Sequence, residues 1–419
     1  MTPLLPVYVL ALMGSSVLKS VPQNQDPDRI QQLEIRLDAL AAELERANIG
    51  VPAEVLGDGI GGLAPGASQI YRSDEGEVSL GGYGETLMQF KPGATDVFDA
   101  LRTVIYMGYK FDDKWLLNTE IEFEHGTTSS SSGTSSGGGS ASAEFVYLDY
   151  QYSEQHAARV GLVLVPMGLV NEMHEPTTYM TARRSRTETN ILPSTWREMG
   201  VGLTGDNGEW AYRAYVLNGL NGSEFDDGGL RSGRQKGNRA AAESLAVVAR
   251  LDYIGSPGLM LGGSVYSGDS GQESAPGDVD LDTTIVELHA EYKRGPFTMR
   301  ALYAMADIGD ADDFNTAVIG AGDPNPSLAN ELNGGYLELG YNLFASRDTA
   351  QSLTPFVRYE TVDTQADLPN SAVAGRGLDD DILTFGLAWN PTEQVIIKVD
   401  YEDWDDSDDV WNIQIGYVF

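Results

Sequence analysis

The chain of 419 residues contains no cysteine, and basic residues are scarce. Without cysteine it can form neither disulfides nor thiolate metal sites, and it has no cysteine nucleophile. Lysine and arginine number 27 against 62 aspartates and glutamates, which gives a formal net charge of -35. Because phosphate binding requires a basic surface, this balance argues against nucleic acid as a partner. An acidic extracellular surface and a salt-loving host explain the acidity equally well.

Long apolar runs are also lacking after the N-terminus, which excludes membrane-spanning helices because such a helix requires ~18 or more consecutive apolar residues. The mean hydropathy is only -0.23. A transmembrane β-barrel is compatible with this value, since only every second residue of its strands meets lipid.

Three short segments are predicted before residue 77. Residues 1–20 hold an apolar stretch from Leu4 to Leu18 that is typical of a secretory signal, although no basic n-region or clear cleavage site accompanies it. Residues 28–47 predict an amphipathic helix, either a short oligomeric coiled coil or a lone helix packed on its own domain. Its a and d heptad positions are Ile30, Leu33, Leu37, Leu40 and Leu44. Residues 48–76, rich in glycine, proline and alanine, predict a linker.

From Glu77 to the C-terminus, polar and apolar side chains alternate with a period of two in segments of about ten residues, which is typical of transmembrane strands. The predicted strands are residues 77–90, 101–111, 114–124, 143–152, 158–166, 196–204, 209–218, 242–253, 258–267, 281–292, 297–306, 333–344, 352–362, 380–389, 394–402 and 410–419. Short and long connections alternate between them, as periplasmic turns and external loops do. We therefore predict an all-β fold, a 16-stranded antiparallel transmembrane β-barrel over residues 77–419, in the bacterial outer membrane.

The last predicted strand, VWNIQIGYVF, shows the alternation clearly. Trp411, Ile413, Ile415, Tyr417 and Phe419 share one face, which suits lipid, while polar side chains occupy the other. Aromatic residues also precede the predicted short turns, where an interfacial belt is expected. These are Tyr109, Phe111, Tyr150, Tyr152, Tyr253, Tyr292, Phe344 and Trp389.

The same alternation places charged side chains on the inner wall, because a basic side chain facing lipid at mid-depth costs ~2–4 kcal/mol. The basic residues predicted for the pore wall are Arg102, Arg159, Arg213, Arg250, Arg300, Arg358 and Lys398. The acidic ones are Glu120, Glu122, Glu287, Glu338 and Glu360. Such a wall either filters charged solutes or neutralises itself through salt bridges.

The third long connection, residues 167–195, is too long and too rich in Met, Ile and Leu for a mobile surface tip. We expect it to fold into the barrel and narrow the pore. The predicted constriction residues are Arg183, Arg184, Arg186, Glu172 and Glu175, with His174 and Glu188 nearby. The alternative is an ordinary external loop that pairs with a neighbouring subunit.

Residues for catalysis or metal binding are sparse. There are four histidines, and no Ser–His–acid set is evident, so no catalytic residue, metal site or cofactor is predicted and the chain is not expected to be an enzyme. Glu287, His289 and Glu291 share a strand face that could hold a cation or a proton, but a solvated wall explains them better. The aspartate-rich stretches 278–282, 310–313 and 403–409 suggest an acidic external surface with loose divalent binding at most.

In architecture the sequence resembles the trimeric porins of the phosphate-selective O/P type and the DcaP-like porins. The segments that match best are LGGYGETLMQF, ARVGLVLVPMGLVNE, PFVRYE and IGYVF. The resemblance implies a homotrimer with one pore per subunit, contact with outer-membrane lipid and lipopolysaccharide, and passive diffusion of small anionic solutes. It makes Arg183, Arg184 and Arg186 the candidate selectivity residues. The competing hypothesis is a non-conducting barrel that acts as a structural anchor or as a receptor for cations or a partner.

Overall fold

The computed structural model describes residues 59–60, 62–128, 138–273, 275–322, 326–374 and 377–419. The predicted signal-like segment and the coiled-coil helix lie outside these residues. Within the described part of the chain, no helix is both long and apolar enough to cross a membrane.

The described residues form one closed barrel of sixteen antiparallel strands, each paired with its neighbours in sequence, with β1 joined to β16. The strands are β1 (Val78–Phe90), β2 (Val97–Lys110), β3 (Trp115–Glu124), β4 (Ala141–Ser153), β5 (His156–Leu164), β6 (Arg197–Asp206), β7 (Trp210–Asn218), β8 (Leu245–Ser256), β9 (Leu259–Asp269), β10 (Asp282–Arg294), β11 (Phe297–Ile308), β12 (Glu331–Tyr341), β13 (Ser352–Asp367), β14 (Asp379–Thr392), β15 (Val395–Trp404) and β16 (Val410–Val418). The predicted barrel and strand order are confirmed. The strand end that differs most from its predicted position is the C-terminal end of β13. This strand continues past a register irregularity, and Asp367 pairs with Glu331.

The barrel closes where the last strand meets the first. Tyr83 is paired with Val418, and the register continues to Phe90 opposite Trp411. The backbone groups of Gly82 and Phe419 exchange two hydrogen bonds of 2.8 Å. A Cβ added at Gly82 would lie 2.9 Å from the ring of Phe419, so the absence of a side chain leaves room for that ring. Closure satisfies the backbone donors and acceptors that an open sheet edge would present to lipid.

Exposure follows the predicted alternation. In β10, Leu288 on the outer face is 65% exposed, whereas Glu287 and His289 on either side are 1% and 5% exposed. Aromatic side chains pair beside the short turns, as an interfacial belt requires. Examples are Trp115 with Tyr150, Trp210 with Tyr253 and Phe297 with Tyr341, with ring centroids 4.8, 5.2 and 4.8 Å apart.

Short helices lie outside the strands. The longest, α1 (Ala311–Ala321), belongs to the connection between β11 and β12. A single π-helical turn, Thr187–Ile191, belongs to the connection between β5 and β6, and a 3-10 turn, Gln69–Arg72, precedes β1. The π-helical turn and the 3-10 turn lie inside the barrel, against its wall, and are therefore part of the functional site.

Candidate functional site

The third long loop, residues 165–196, lies within the barrel and packs against its inner wall. Val165, Met167, Ile191, Leu192 and Trp196 are at most 1% exposed and form part of the apolar core. The sequence pattern of Met, Ile and Leu thus serves to fill the lumen. A loop with this burial does not fit the alternative of an ordinary external loop.

Carboxylates of the wall hold the backbone of this loop. Glu360 of β13 accepts from the amide of Thr187 at 2.7 Å, and Asp400 of β15 accepts from the amide of Ala182 at 2.5 Å. Within the loop, Glu188 accepts from the amides of Leu169 and Val170 at 2.6 and 2.7 Å and from Tyr336 of β12 at 2.8 Å. Because hydrogen bonds to ionised groups are the strong ones, these contacts fix the path of the loop.

The basic residues predicted for the pore wall do face inward, and carboxylates pair with the arginines among them. The side chain of Arg102 is 11% exposed, and each of the other six residues is at most 6% exposed. The pairs are Arg102–Glu85 (2.8 Å), Arg159–Asp149 (2.8 Å), Arg213–Asp252 (2.7 Å), Arg250–Asp252 (2.9 Å), Arg300–Glu291 (2.6 Å) and Arg358–Glu360 (3.8 Å). Lys398 instead donates to the carbonyl of Thr181 at 3.0 Å and lies 3.7 Å from the ring centroid of Tyr179. In this arrangement the arginines of the wall neutralise carboxylates.

The five predicted constriction residues have separate partners. Glu172 pairs with Arg213 of β7 at 2.9 Å. Glu175 accepts from the amide of Ala67 at 3.0 Å, so it contacts the segment that precedes β1. Neither carboxylate forms an ion pair with the loop arginines within the described residues.

The three loop arginines lie elsewhere on the loop. Arg183 approaches Glu402 of β15 at 3.4 Å, and the guanidinium of Arg186 lies 5.1 Å from the ring centroid of Trp404. Arg184 has a buried Nη2 without a hydrogen-bond partner. Burial and the charge of Arg183 lower the pKa of Arg186 to about 10. Of the three loop arginines, Arg183 forms an ion pair with a carboxylate, whereas Arg184 and Arg186 form none among the described residues.

The fourth long loop, residues 219–244, adds two arginines that sequence reasoning missed. Arg234 donates to the carbonyls of Thr195 and Arg231 at 2.8 and 2.9 Å, and Arg231 has a buried Nη1 without a partner. Burial and the charges of Arg234 and Arg184 lower the pKa of Arg231 to about 9. The run RSGRQKGNR at 231–239, unusually basic for this acidic chain, was the signal available in the sequence.

We name Arg184, Arg231 and Arg234 the external arginine cluster, since the third and fourth long loops emerge at the end opposite the short turns. Among the residues that the structure describes, none of the three forms an ion pair with a carboxylate. The pKa of Arg184, by contrast, is raised despite burial and the charge of Arg102, because Tyr179, Tyr83 and Glu85 lie nearby. The cluster thus adds three guanidinium groups from the long loops that are not paired with a carboxylate among the described residues.

The opposite end is occupied by the residues before β1, part of the predicted linker. We name residues 62–73 the N-terminal plug. Leu63 and Ile70 are each 1% exposed, and the carbonyl of Ala67 accepts from Asn118 of β3 at 2.9 Å. A Cβ added at Gly108 of β2 would lie 2.6 Å from the side chain of Ile70, so this part of the chain packs directly on the wall.

Tyr71 attaches the plug to a buried ion pair. Its hydroxyl donates to Asp149 Oδ2 at 2.7 Å and accepts from Arg159 Nη2 at 2.7 Å. Asp149 and Arg159 also bond directly to each other at 2.8 and 2.9 Å. A phenol between a carboxylate and a guanidinium anchors the plug to β4 and β5.

The free space inside the barrel is uneven. A cavity of about 370 Å³ lies between the plug, the third loop and the wall, and its lining includes Tyr71, Glu172, Arg213 and Arg250. A separate cavity, lined by Arg184, Glu188, Arg300 and Arg358 among others, has a volume of about 10 Å³, about enough for one water.

The four histidines have partners other than serine. His125 bonds Asp99 at 2.7 Å, His156 bonds Tyr212 at 3.2 Å, and His174 bonds Glu120 at 3.1 Å. Glu287, His289 and Glu291 share the inner face of β10, as predicted, but they do not bind one another as a single group. His289 lies between Glu287 and Asp252 at 2.9 Å each, while Glu291 turns to Arg300.

Comparison with known proteins identifies a relative of this chain by sequence. No protein-family model matches it. An uncharacterised protein of Aquifex aeolicus is 33% identical over 371 residues, which cover 85% of this chain and 83% of that protein. This chain belongs to the family of that Aquifex protein.

Solved structures of outer-membrane proteins resemble the barrel. Salmonella typhi OmpF in complex with daunomycin has a TM-score of 0.54 at 14% identity, over 82% of this chain and 98% of that one. A loop L8 deletion mutant of OmpT, an outer-membrane protein of Vibrio cholerae, has a TM-score of 0.51 at 12% identity, over 83% and 100%. At such identities the likeness is one of fold. The protein has the 16-stranded barrel fold of these outer-membrane proteins.

Proposed function

We propose that the protein is an outer-membrane porin for the passive diffusion of small hydrophilic solutes and ions, with a preference for anions. The observation that carries the preference is the external arginine cluster. The arginines of the wall are paired with carboxylates, whereas Arg184, Arg231 and Arg234 have no such partner among the described residues. Unpaired fixed charge in a lumen attracts ions of the opposite sign.

The size of the effect supports this reading. One uncompensated charge stabilises an anion at 4 Å by about 4 kcal/mol at the effective dielectric constant of a protein surface. Paired arginines contribute much less, because each carboxylate repels the anion that its arginine attracts. A few unpaired guanidinium groups can therefore decide selectivity in a chain whose formal net charge is -35.

Reversal potentials in planar bilayers under a salt gradient test the proposal. The triple variant Arg184→Gln, Arg231→Gln, Arg234→Gln should shift the reversal potential toward cation preference. Arg239→Gln is the matched control, since Arg239 lies exposed in the same loop and should leave the potential unchanged. An unchanged potential in the triple variant would reject the role of the cluster. The variant Arg183→Gln, Arg186→Gln measures separately the contribution of the other loop arginines.

The finer features of the resemblance are part of the proposal. We infer a homotrimer with one pore per subunit, related to the phosphate-selective O/P or DcaP-like porins, in contact with outer-membrane lipid and lipopolysaccharide. Native mass measurement in detergent tests the trimer, and a monomeric mass would reject it. Competition by inorganic phosphate for chloride current tests phosphate preference. We also propose that the chain has no catalytic activity, supported by four histidines that bond no serine.

The second candidate, a non-conducting barrel that serves as an anchor or receptor, is favoured by one observation. The plug and the third loop fill much of the lumen, and the cavity at Arg184 holds about 10 Å³. Removal of the N-terminal plug, residues 62–73, separates the two functions. A porin should gain conductance when this segment is deleted, whereas a barrel that remains silent after the deletion supports the anchor or receptor.

A further inference from the structure

Three side chains from distant parts of the sequence meet inside the barrel, at the inner face of its wall. His174 Nε2 of the third loop lies 3.1 Å from Glu120 Oε1 of β3 and 3.1 Å from Glu144 Oε2 of β4. The three residues are 2%, 0% and 0% exposed, respectively. Each offers one ligand atom, and the three atoms lie within 4.8 Å of one another. We name them the His174 site.

The second ring nitrogen fixes the orientation of the imidazole. Nδ1 of His174 lies 2.8 Å from the carbonyl oxygen of Asn171, which can only accept, so Nδ1 carries a hydrogen. Nε2 is therefore the nitrogen presented to both carboxylates. A ring nitrogen that donates to a backbone carbonyl while the other faces oxygen ligands is the usual arrangement of a metal-bound histidine.

His289 provides an internal contrast. Its two nitrogens face separate acids, with Glu287 2.9 Å from Nδ1 and Asp252 2.9 Å from Nε2. Each ring nitrogen thus has a carboxylate of its own, and the guanidinium of Arg250 also lies 3.0 Å from Nε2. At His174, both acids share one nitrogen at equal distance, and a single N–H cannot point at both oxygens.

Both carboxylates also have an oxygen that forms no hydrogen bond. Glu120 Oε2 is buried and has no hydrogen-bond partner in the structure. Glu144 keeps its other oxygen on Arg197 at 2.9 Å, which leaves Oε2 for the site. Buried carboxylate oxygens without partners are costly, and a bound cation would satisfy them.

We propose that Glu120, Glu144 and His174 bind a divalent transition-metal ion, with Zn²⁺ the best match. Zinc takes imidazole and carboxylate ligands at 2.0–2.2 Å in a tetrahedron, which separates neighbouring ligand atoms by about 3.3 Å. The two distances of 3.1 Å are close to that value. The carbonyl of Asn171 orients the imidazole, and the fourth position is open to water. A metal here ties the third loop to β3 and β4.

Metal content measures the proposal directly. Protein purified from membranes, stripped with chelator and equilibrated with excess Zn²⁺ should retain about one zinc per chain after desalting, as expected of a site with three protein ligands. Co²⁺ substitution should give the visible absorption of a tetrahedral site. His174→Gln and Glu120→Gln should each weaken binding at least about tenfold, in line with the loss of a ligand. His289→Gln, a second buried histidine between acids, should retain the metal.

Either of two results would overturn the site: wild-type protein that retains no metal after equilibration, or metal content that is unchanged in His174→Gln. Variants that fail to fold are recognised by loss of the gel-mobility shift of a folded barrel. In that case anomalous scattering at the zinc edge from wild-type crystals decides, because a peak between the three ligand atoms supports the proposal and its absence rejects it. None of these measurements depends on conductance, so they remain informative if the porin function fails.

Discussion

The attachment of the N-terminal plug is open to a single-atom test at Tyr71. The Tyr71→Phe substitution removes the hydroxyl that bridges Asp149 and Arg159 at 2.7 Å each and leaves the ring in place. The two charged residues retain their own contacts of 2.8 and 2.9 Å, so no ion is left unpaired. The change therefore isolates the hydrogen bonds that Tyr71 contributes to the attachment of the plug.

Two hydrogen bonds to charged groups are lost, each worth ~1.5–3 kcal/mol. Since Asp149 and Arg159 still satisfy each other, the lower end applies, about 3 kcal/mol in total. Every 1.4 kcal/mol corresponds to a factor of ten, so the population of the detached plug should rise about 100-fold.

The absence of cysteine makes the assay simple. Ala67→Cys introduces the sole thiol of the chain at a plug position that is 4% exposed. Its rate of modification by a water-soluble maleimide in liposomes reports the detached population, provided that opening is fast relative to labelling. We expect labelling about 100-fold faster when Tyr71→Phe is added to Ala67→Cys, from the hydrogen bonds counted above.

The matched control is Tyr417→Phe in the same Ala67→Cys background. Tyr417 is 40% exposed on the outer face of β16, and removal of its hydroxyl should leave labelling unchanged. A labelling rate that changes less than about threefold on Tyr71→Phe, which corresponds to under 1 kcal/mol, would refute the anchoring role. An equal change of the labelling rate in the control would refute it as well.

Further predictions concern the wall and the third loop. Arg159→Met should destabilise the barrel by ~3–5 kcal/mol because it leaves Asp149 charged, buried and unpaired, as measured by urea unfolding in liposomes. Leu288→Arg should cost ~2–4 kcal/mol at mid-depth, whereas Leu343→Arg, in a turn near the interface, should cost ~0–1 kcal/mol in the same assay. Equal costs would contradict the assigned depths. Glu360→Gln should weaken the wall contact of the third loop and increase open-channel fluctuations in single-channel recordings; an unaltered trace would reject this contact as a restraint on the loop.

The strand pattern could be predicted because it is enforced locally. A charge that faces lipid is penalised at each position, so Leu288 and His289, as neighbours, must take opposite faces. The same rule placed Trp411 and Asn412 on opposite faces of the last strand. Short and long connections then fixed the strand count and order without any knowledge of contacts. Inward orientation of the wall arginines follows from this rule as well.

The partners of those inward residues could not be read from the sequence. Alternation gives the face of a residue but not its position around the barrel or its neighbour across the lumen. The pairing of Glu172 with Arg213 depends on the path of the third loop, and the contact of Tyr71 with Asp149 depends on entry of the plug. A segment rich in glycine, proline and alanine has the same composition whether it is free or packed.

The sequence by itself determined that this protein is a closed, lipid-facing cylinder of sixteen strands, because the cost of a misplaced side chain in hydrocarbon is settled residue by residue. Only the tertiary structure decided which charges inside the cylinder are neutralised and which, such as Arg231, remain uncompensated. It also brought His174 to Glu120 and Glu144. The physical reason is that electrostatic pairing depends on distances of a few ångströms between residues far apart in the chain, and folding alone sets those distances.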